Sequence, residues 1–319
     1  MQRDFLIRRY TSGDFSNWEK FLSETKNSHF MHSRKYLHYH GDRFLDYSLI
    51  IEDADNKIMG ILPAAIVRDQ LISHPGLSFG GLLIKENIKF SDYLNMFYSL
   101  VEFIEENLEV DYFLLKLTPE IYHSQFSNEV MYCGFHTGFE LTNVELSTVV
   151  DYSRTINLQG RRRRAIRKAQ KHCIQVALSE KIIEFWDFLS FNLQERHSVK
   201  PVHTVSEIKT LINTFPQNIK LFTAELSGEI LAGVIIFETK QVAHAQYISV
   251  GDKGRDSGAL DLLLKTLLDE YSSLKKFFSF GVSTEQAGAK INFGLLAQKE
   301  GFGGVAFPHI QLVKRINRE

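Results

Sequence analysis

Residues 242–274 read VAHAQYISVGDKGRDSGALDLLLKTLLDEYSSL. The apolar run Val242–Val250 predicts a buried strand, and Gly251, Gly254 and Gly258 punctuate a loop after it. Leu260, Leu263, Leu264, Leu267 and Tyr271 then recur at i, i+3, i+4, i+7 and i+11, the apolar face of a helix. Strand, glycine loop and helix start together suit an anion. Glycine lets the backbone approach a phosphate closely, and the first helical turn offers unpaired N–H groups and the positive end of the helix dipole. Two phosphate-binding patterns, G-x-x-x-x-G-K-S/T and G-x-G-x-x-G, are absent from the stretch. The same residues also fit an ordinary strand-to-helix connection whose glycines serve the turn.

Working outward, a hairpin is expected at Ile219–Glu225 and Ile230–Thr239, a strand at Lys276–Val282, a helix near Ala287–Lys299 and a last strand near Val305–Val313. Upstream, Ile182–Arg196 is apolar at helical spacing, and Thr204 with Glu207 makes a capping box for a helix stopped by Pro216. The first half repeats this order. A hairpin at Phe44–Ile51 and Ile58–Val67 precedes a Gly/Pro-rich segment, His74–Gly81. A long helix from Ser91, a strand at Val110–Leu117 and a strand at Phe139–Val150 follow. Ser91 and Ser257 are 166 residues apart, Val110 and Lys276 also 166, and the Gly-Phe pairs at 134 and 301 are 167 apart. A constant offset over three elements indicates an internal duplication. The expected class is α/β with mixed sheets, in two domains, 1–152 and 153–319.

The 319 residues, 44% hydrophobic and 12% aromatic, suffice for two cores and exclude a disordered chain. Two cysteines, Cys133 and Cys173, build neither a disulfide framework nor a zinc site, and no metal constellation appears. With no apolar start segment and no run long enough to span a bilayer, a cytoplasmic protein without a membrane span is expected. The net charge of −1 conceals an island at Asp151–His172: eight cations against one anion, +7 locally and −8 elsewhere.

Several stretches resemble the FemABX-like, double-GNAT acyltransferases, a group often described by a BioF2-like acetyltransferase domain. They are Arg161-Arg162-Arg163-Arg164-Ala165-Ile166-Arg167-Lys168-Ala169, Tyr247-Ile248-Ser249, and Gln298-Lys299-Glu300-Gly301-Phe302-Gly303. Tyr39–Phe44 and Ile61–Ala64 look like segments of bacterial members. In order along the chain, these matches cover nearly its whole length. The family's pyrophosphate loop, roughly Arg/Gln-x-x-Gly-x-Gly/Ala, is met only off-pattern by Lys253, Arg255, Gly258 and Ala259, and the usual acidic tyrosine before the late Gly-Phe is replaced by Ala297.

The resemblance implies tandem GNAT-like domains. The second would hold the donor and the first, with no glycine loop before Ser91, would build the acceptor cleft. It implies transfer of an acyl group from acyl-CoA (acetyl-CoA), or an aminoacyl group from aminoacyl-tRNA, to an amine without a covalent enzyme intermediate. The acceptor would be a small molecule or a cell-envelope or surface-polysaccharide precursor. Donor contacts are expected from Ser249, Val250, Lys253, Gly254, Arg255, Gly258 and Ala259, with the strand at Gln246–Val250 supplying oxyanion donors. Candidate catalytic side chains are Glu195, His197, His203 and Tyr247. Arg164, Arg167, Lys168, Glu285 and Lys299 are candidates for binding substrate or anion. The competing readings are an aminoacyl-tRNA-dependent transferase and a noncatalytic nucleic-acid- or anion-binding module using Arg161–Lys171. The sequence leaves the oligomeric state undefined.

Overall fold

Val242–Val250 forms the expected strand in the computed structural model, which describes residues 5–316 apart from the side chain of His197. The chain divides into two compact units, one of residues 1–145 with 308–319, the other of residues 146–307. In the second unit the strands run in the order Gln175–Leu178, Ile219–Leu226, Glu229–Glu238, Val242–Val250, Phe277–Val282, then the latter part of Glu140–Asp151. Neighbours are antiparallel except Val242–Val250 and Phe277–Val282, whose parallel pairing requires a crossover. The helix Ala259–Tyr271 supplies it. Its face of Leu260, Leu263, Leu264, Leu267 and Tyr271 is buried against Val234, Ile236, Ala243 and Phe278. Each such leucine contributes roughly 1.5–3 kcal/mol of burial, which decides the helix's orientation. The Tyr271 hydroxyl donates to Glu238 at 2.7 Å, so this polar tip is satisfied inside the core.

The first unit repeats the order. Leu6–Arg9, Leu49–Glu52, Ile58–Leu62 and Leu83–Ile84 form one sheet, and Tyr112–Lys116 pairs with Gln70–Ile72 in another. The helix Phe90–Asn107 buries Tyr93, Met96, Phe97, Leu100 and Ile104 in a core with Leu49, Phe113 and Leu115. Three element starts keep the duplication's offset: Tyr112 and Phe277 are 165 residues apart, Glu129 and Phe293 164, and Glu140 and Val305 165.

Three expectations change. The expected strand Ile58–Val67 breaks at Pro63, which has no N–H to donate, and Ala65–Val67 pairs in a different sheet from Ile58–Leu62. The glycine loop is itself helical: Asp252–Ser257 forms a short helix, Gly258 turns left-handed at φ +80°, and the long helix begins at Ala259. The last strand, Val305–Arg315, leaves the second unit at Pro308, and its Gln311–Arg315 pairs with Lys116–Tyr112 of the first.

Candidate active site

The strands Val242–Val250 and Phe277–Val282 pair only through Val242–Ala243–His244 with Phe277–Phe278–Ser279. Beyond that the ladder between them stops, among the described residues. Each strand has a local reason to turn away. Against Glu229–Glu238 the register shifts so that Tyr247 faces Ile235 and Ala245 faces Ile236, leaving Gln246 as a bulge, which bends and twists a strand. On the other strand Gly281 is left-handed at φ +70° and the register toward Glu140–Asp151 also shifts.

A cavity of about 190 Å³ lies at this opening. Ile248, Ser249, Val250 and Phe280 line it from the two strands, Leu260 and Leu264 from the crossover helix, and Leu295, Gln298 and Lys299 from the helix Phe293–Glu300. The helix Ile182–His197 closes it with Leu189, Asn192, Leu193 and Arg196, at i, i+3, i+4 and i+7. Asn192 and Arg196 were missed by the reading of individual motifs, although their helical spacing with Leu189 and Leu193 was available.

Arg196 and Arg255 both reach the cavity. Arg196 is paired with Asp252, and Arg255 donates to the Val250 carbonyl at 3.3 Å. Burial, and then the neighbouring Arg196 charge, lower the Arg255 pKa. Two guanidiniums sharing one exposed carboxylate leave an excess positive charge for an anion. Lys299 is 4% exposed. Its Nζ donates to the carbonyls of Gly281 at 2.9 Å and Val282 at 2.6 Å, and burial brings its pKa down to about 7. Asn192 Nδ2 donates to Ser249 Oγ at 3.0 Å.

Two candidates from separate stretches meet. His203 precedes the helix Val205–Thr214, is buried, and places Nδ1 2.5 Å from the Tyr247 hydroxyl. Trp186 packs edge-on against Tyr247, with ring centroids 5.0 Å apart. Tyr247 and Ser249, two apart on one strand, share a face of the sheet.

Tyr247 and His203 stand beside the cavity-lining Ile248 and Ser249 in the chain and fold but are not in the lining themselves, and the other candidates are placed as follows. Glu195 is exposed on its helix and does not line the cavity; His197 closes the same helix, and its side chain lies outside the described residues. Exposed Lys253 is held by Glu229 at 2.8 Å. Glu285 is exposed and accepts from Asn292 at 2.8 Å. Arg164, Arg167 and Lys168 are exposed on the helix Gly160–Lys171, away from the cavity lining. Arg162 turns inward, 2.9 Å from Asp261 and 5.3 Å over the Phe302 ring. Gly254 and Gly258 are fixed by packing: a Cβ would fall 2.2 Å from the Leu231 carbonyl at Gly254, and 2.3 Å from the Ala165 carbonyl at Gly258. Ala259, next to Gly258, is fully buried.

Residues 159–286 match the family model described as "Acetyltransferase (GNAT) domain". No curated protein matches the sequence. Among solved structures, the chain is similar to FemX at 11% identity, covering 98% of each chain with a TM-score of 0.67. It is similar to L-PGS from Bacillus licheniformis at 13% identity, covering 97% of this chain and 92% of that one, TM-score 0.62. It is also similar to a tandem GNAT protein from the clavulanic acid biosynthesis pathway at 9% identity, covering 99% of this chain and 100% of that one, TM-score 0.54. The segment 159–286 is thus a GNAT domain by its sequence. Over its whole length the chain has the double-GNAT fold of FemX and the tandem GNAT protein. No helix among the described residues is long and apolar enough to cross a membrane.

Proposed function

We propose that this protein transfers an acyl group from acyl-CoA to an amine acceptor, with the donor held in the second unit. The observation that carries this reading is the opening between Val242–Val250 and Phe277–Val282, which leaves a largely apolar cavity lined mostly by residues of the segment matching the GNAT domain. The cavity suits the uncharged arm of the donor, and Arg196 with Arg255 suits its phosphates. Backbone N–H groups along Gln246–Val250, on the side where the ladder has stopped, would stabilise negative charge building on the acyl oxygen.

Tyr247 and His203 are the proposed proton acceptors. With Nδ1 of His203 as the acceptor of the phenol's proton, removing a proton from the amine through Tyr247 passes a proton to His203. The acyl carbon–sulfur bond breaks as the carbon–nitrogen bond forms, and the thiolate departs without a side-chain acid in the place of Ala297, which is exposed and outside the cavity lining. The enzyme forms no covalent intermediate. The first unit is assigned to the acceptor side. Between its helices Phe90–Asn107 and Glu129–His136, Tyr93, Leu117, Val130 and neighbours leave a niche of only about 30 Å³, with Glu129 held by buried Lys26. A bacterial cytoplasmic enzyme acting on a cell-envelope or surface-polysaccharide precursor is the setting that fits the family resemblance and the two unpaired cysteines.

A second donor, aminoacyl-tRNA, is favoured by one observation. The helix Gly160–Lys171, with Arg161, Arg163, Arg164, Arg167, Lys168 and Lys171 exposed, is anchored beside the donor turn by Ala165 against Gly258 and Arg162 to Asp261. Calorimetric titration with CoA and with a tRNA mixture at two salt concentrations separates the two. Micromolar CoA binding, weakened about tenfold by Arg255→Ala, supports acyl-CoA, a loss of about 1.4 kcal/mol. No CoA binding, with steeply salt-dependent tRNA binding lost on neutralising Arg163, Arg164, Arg167 and Lys168, moves the donor to aminoacyl-tRNA. Binding of neither would overturn both.

A further inference from the structure

Lys299 lies on the helix Phe293–Glu300 and borders the cavity of the second unit, and its Nζ donates to the Gly281 and Val282 carbonyls at 2.9 and 2.6 Å. A neutral amine has two N–H bonds, both used here, and a lone pair in the third position. An ammonium would carry a third N–H there, with no acceptor for it among the described residues. No carboxylate stands in the cavity lining to favour the charge; the other ionisable groups in it are Arg196 and Arg255. Burial accordingly brings the Lys299 pKa down to about 7. The position of this nitrogen along the opening also matters. Gly281 lies across from Ala245, since a Cβ on it would fall 3.9 Å from the Ala245 carbonyl oxygen. Ala245 directly precedes Gln246–Val250, where the acyl oxygen is expected, whereas Arg255 bonds the carbonyl of Val250 at the far end of that segment. Lys299 is therefore at the acyl end of the proposed donor, away from its phosphates.

Resting on the acyl-CoA reading above, we infer that Lys299 is a self-acylation site: when a donor is bound and no acceptor arrives, its Nζ takes the acyl group and the cavity closes. The lone pair attacks the thioester carbon, the carbon–nitrogen bond forms and the carbon–sulfur bond breaks. One Nζ proton passes to the departing thiolate, so CoA leaves as the free thiol. The product is an amide, which CoA does not cleave, and its acyl group stays in the space the next donor needs. The acceptor amine and Lys299 compete for one thioester. A scarce acceptor therefore shuts the enzyme off, and an abundant one protects it.

The test incubates the full chain with acetyl-CoA at about pH 8 without an amine acceptor and maps acetyl-lysine by tandem mass spectrometry, beside a calorimetric titration with CoA. At that pH a lysine of ordinary pKa near 10.4 is free base in only about one molecule in 250. Lys299 should therefore be acetylated well before exposed lysines such as Lys290. Acetic anhydride, which needs no binding site, should reverse that order, because it meets Lys290 in solvent and Lys299 only through a side chain that is 4% exposed. Below saturation with acetyl-CoA, Arg255→Ala should slow labelling of Lys299 about tenfold, in step with its weaker CoA binding, and excess CoA should suppress labelling of the wild type. Chains acetylated at Lys299 should bind CoA at least about tenfold more weakly. CoA binding with Lys299 unmodified, or modified no faster than Lys290, overturns the inference and leaves the acyltransferase reading standing. Acetylation of Lys299 with CoA affinity unchanged overturns the closing of the cavity. Absence of CoA binding overturns that reading and this inference together.

Discussion

Replacing Lys299 by methionine tests the electrostatics of the cavity directly. The side chain is 4% exposed, and its pKa falls from 10.5 to about 7 on folding because burial disfavours the ammonium. Between those values the unfolded chain holds a proton that the folded chain has released, so stability rises with pH; the penalty is complete below pH 7 and vanishes above 10.5. The limiting slope is about 1.4 kcal/mol per pH unit, and integration from pH 7 to 9 gives about 2 kcal/mol. For a unit of this size that corresponds to a Tm rise of roughly 4–8 °C. Methionine approximates the stem's volume without titrating. It also strips the Gly281 and Val282 carbonyls of their donor, at about 1–3 kcal/mol for each group left unsatisfied, so the sign of the Tm change at pH 7 alone decides nothing. The difference between the two proteins across pH does. Scanning calorimetry of wild type and Lys299→Met at pH 7 and 9, read on the transition that CoA shifts upward, cancels every other titrating group. Parallel behaviour of the two proteins over that range would refute the argument, since Lys299 would then be charged in the fold throughout.

Gly258→Ala should lower the Tm of the second unit by several degrees, because it places a Cβ 2.3 Å from the Ala165 carbonyl at a φ of +80°; a thermal melt equal to wild type would show the two helices can part freely. A loss of donor binding in that variant is therefore no measure of anion contact, whereas Arg255→Ala should leave the melt within about 0.5 kcal/mol of wild type while weakening CoA. Arg162→Ala, which strands Asp261, should cost about 2–3 kcal/mol in urea unfolding, against less than about 0.5 kcal/mol for Arg167→Ala on the exposed face of the same helix. Tyr247→Phe and His203→Ala should each lower kcat by about a hundredfold with CoA affinity unchanged; a double variant no slower than either single one is expected of groups that share one proton path, and additive losses would separate them.

How far the sequence carried the fold follows from which forces act locally. The strand at Val242–Val250 and the leucine face of Ala259–Tyr271 were legible because burial imposes periods that a short window displays. The opening of the site was not. It depends on a bulge at Gln246 relative to one neighbouring strand and a left-handed Gly281 on the other, and a bulge exists only between partners. Gly258 was open to two readings for a related reason. An approaching phosphate and an approaching carbonyl both require a missing Cβ, and the sequence cannot say which is there; the structure puts Ala165 in that place. The arginine run looked like one basic face until Arg162 turned inward to Asp261, a partner 99 residues away. His203 and Tyr247 were visible separately as groups able to carry a proton, and only folding over 44 residues joins them.

The duplication explains why only one half is assigned the donor. Three pairs of element starts are separated by 164 or 165 residues, yet the long helices begin at Phe90 and Ala259, 169 apart. The long helix of the second half therefore starts four or five residues later than the offset of the other elements predicts, and the turn Asp252–Ser257 overlaps the place where the first half has already begun its helix. That turn carries Arg255 into the cavity and Asp252 to Arg196, and it requires Gly254 and Gly258 to clear the Leu231 and Ala165 carbonyls. The first half reaches its helix from Lys89 without such a turn, and Tyr93 and Val130 help fill the niche that the second half keeps open. Removing Asp252–Ser257 should therefore abolish CoA binding. A deletion variant that folds, by its far-ultraviolet circular dichroism and cooperative melt, and still binds CoA at wild-type strength would show that the arginines on this turn are not what the donor's phosphates meet.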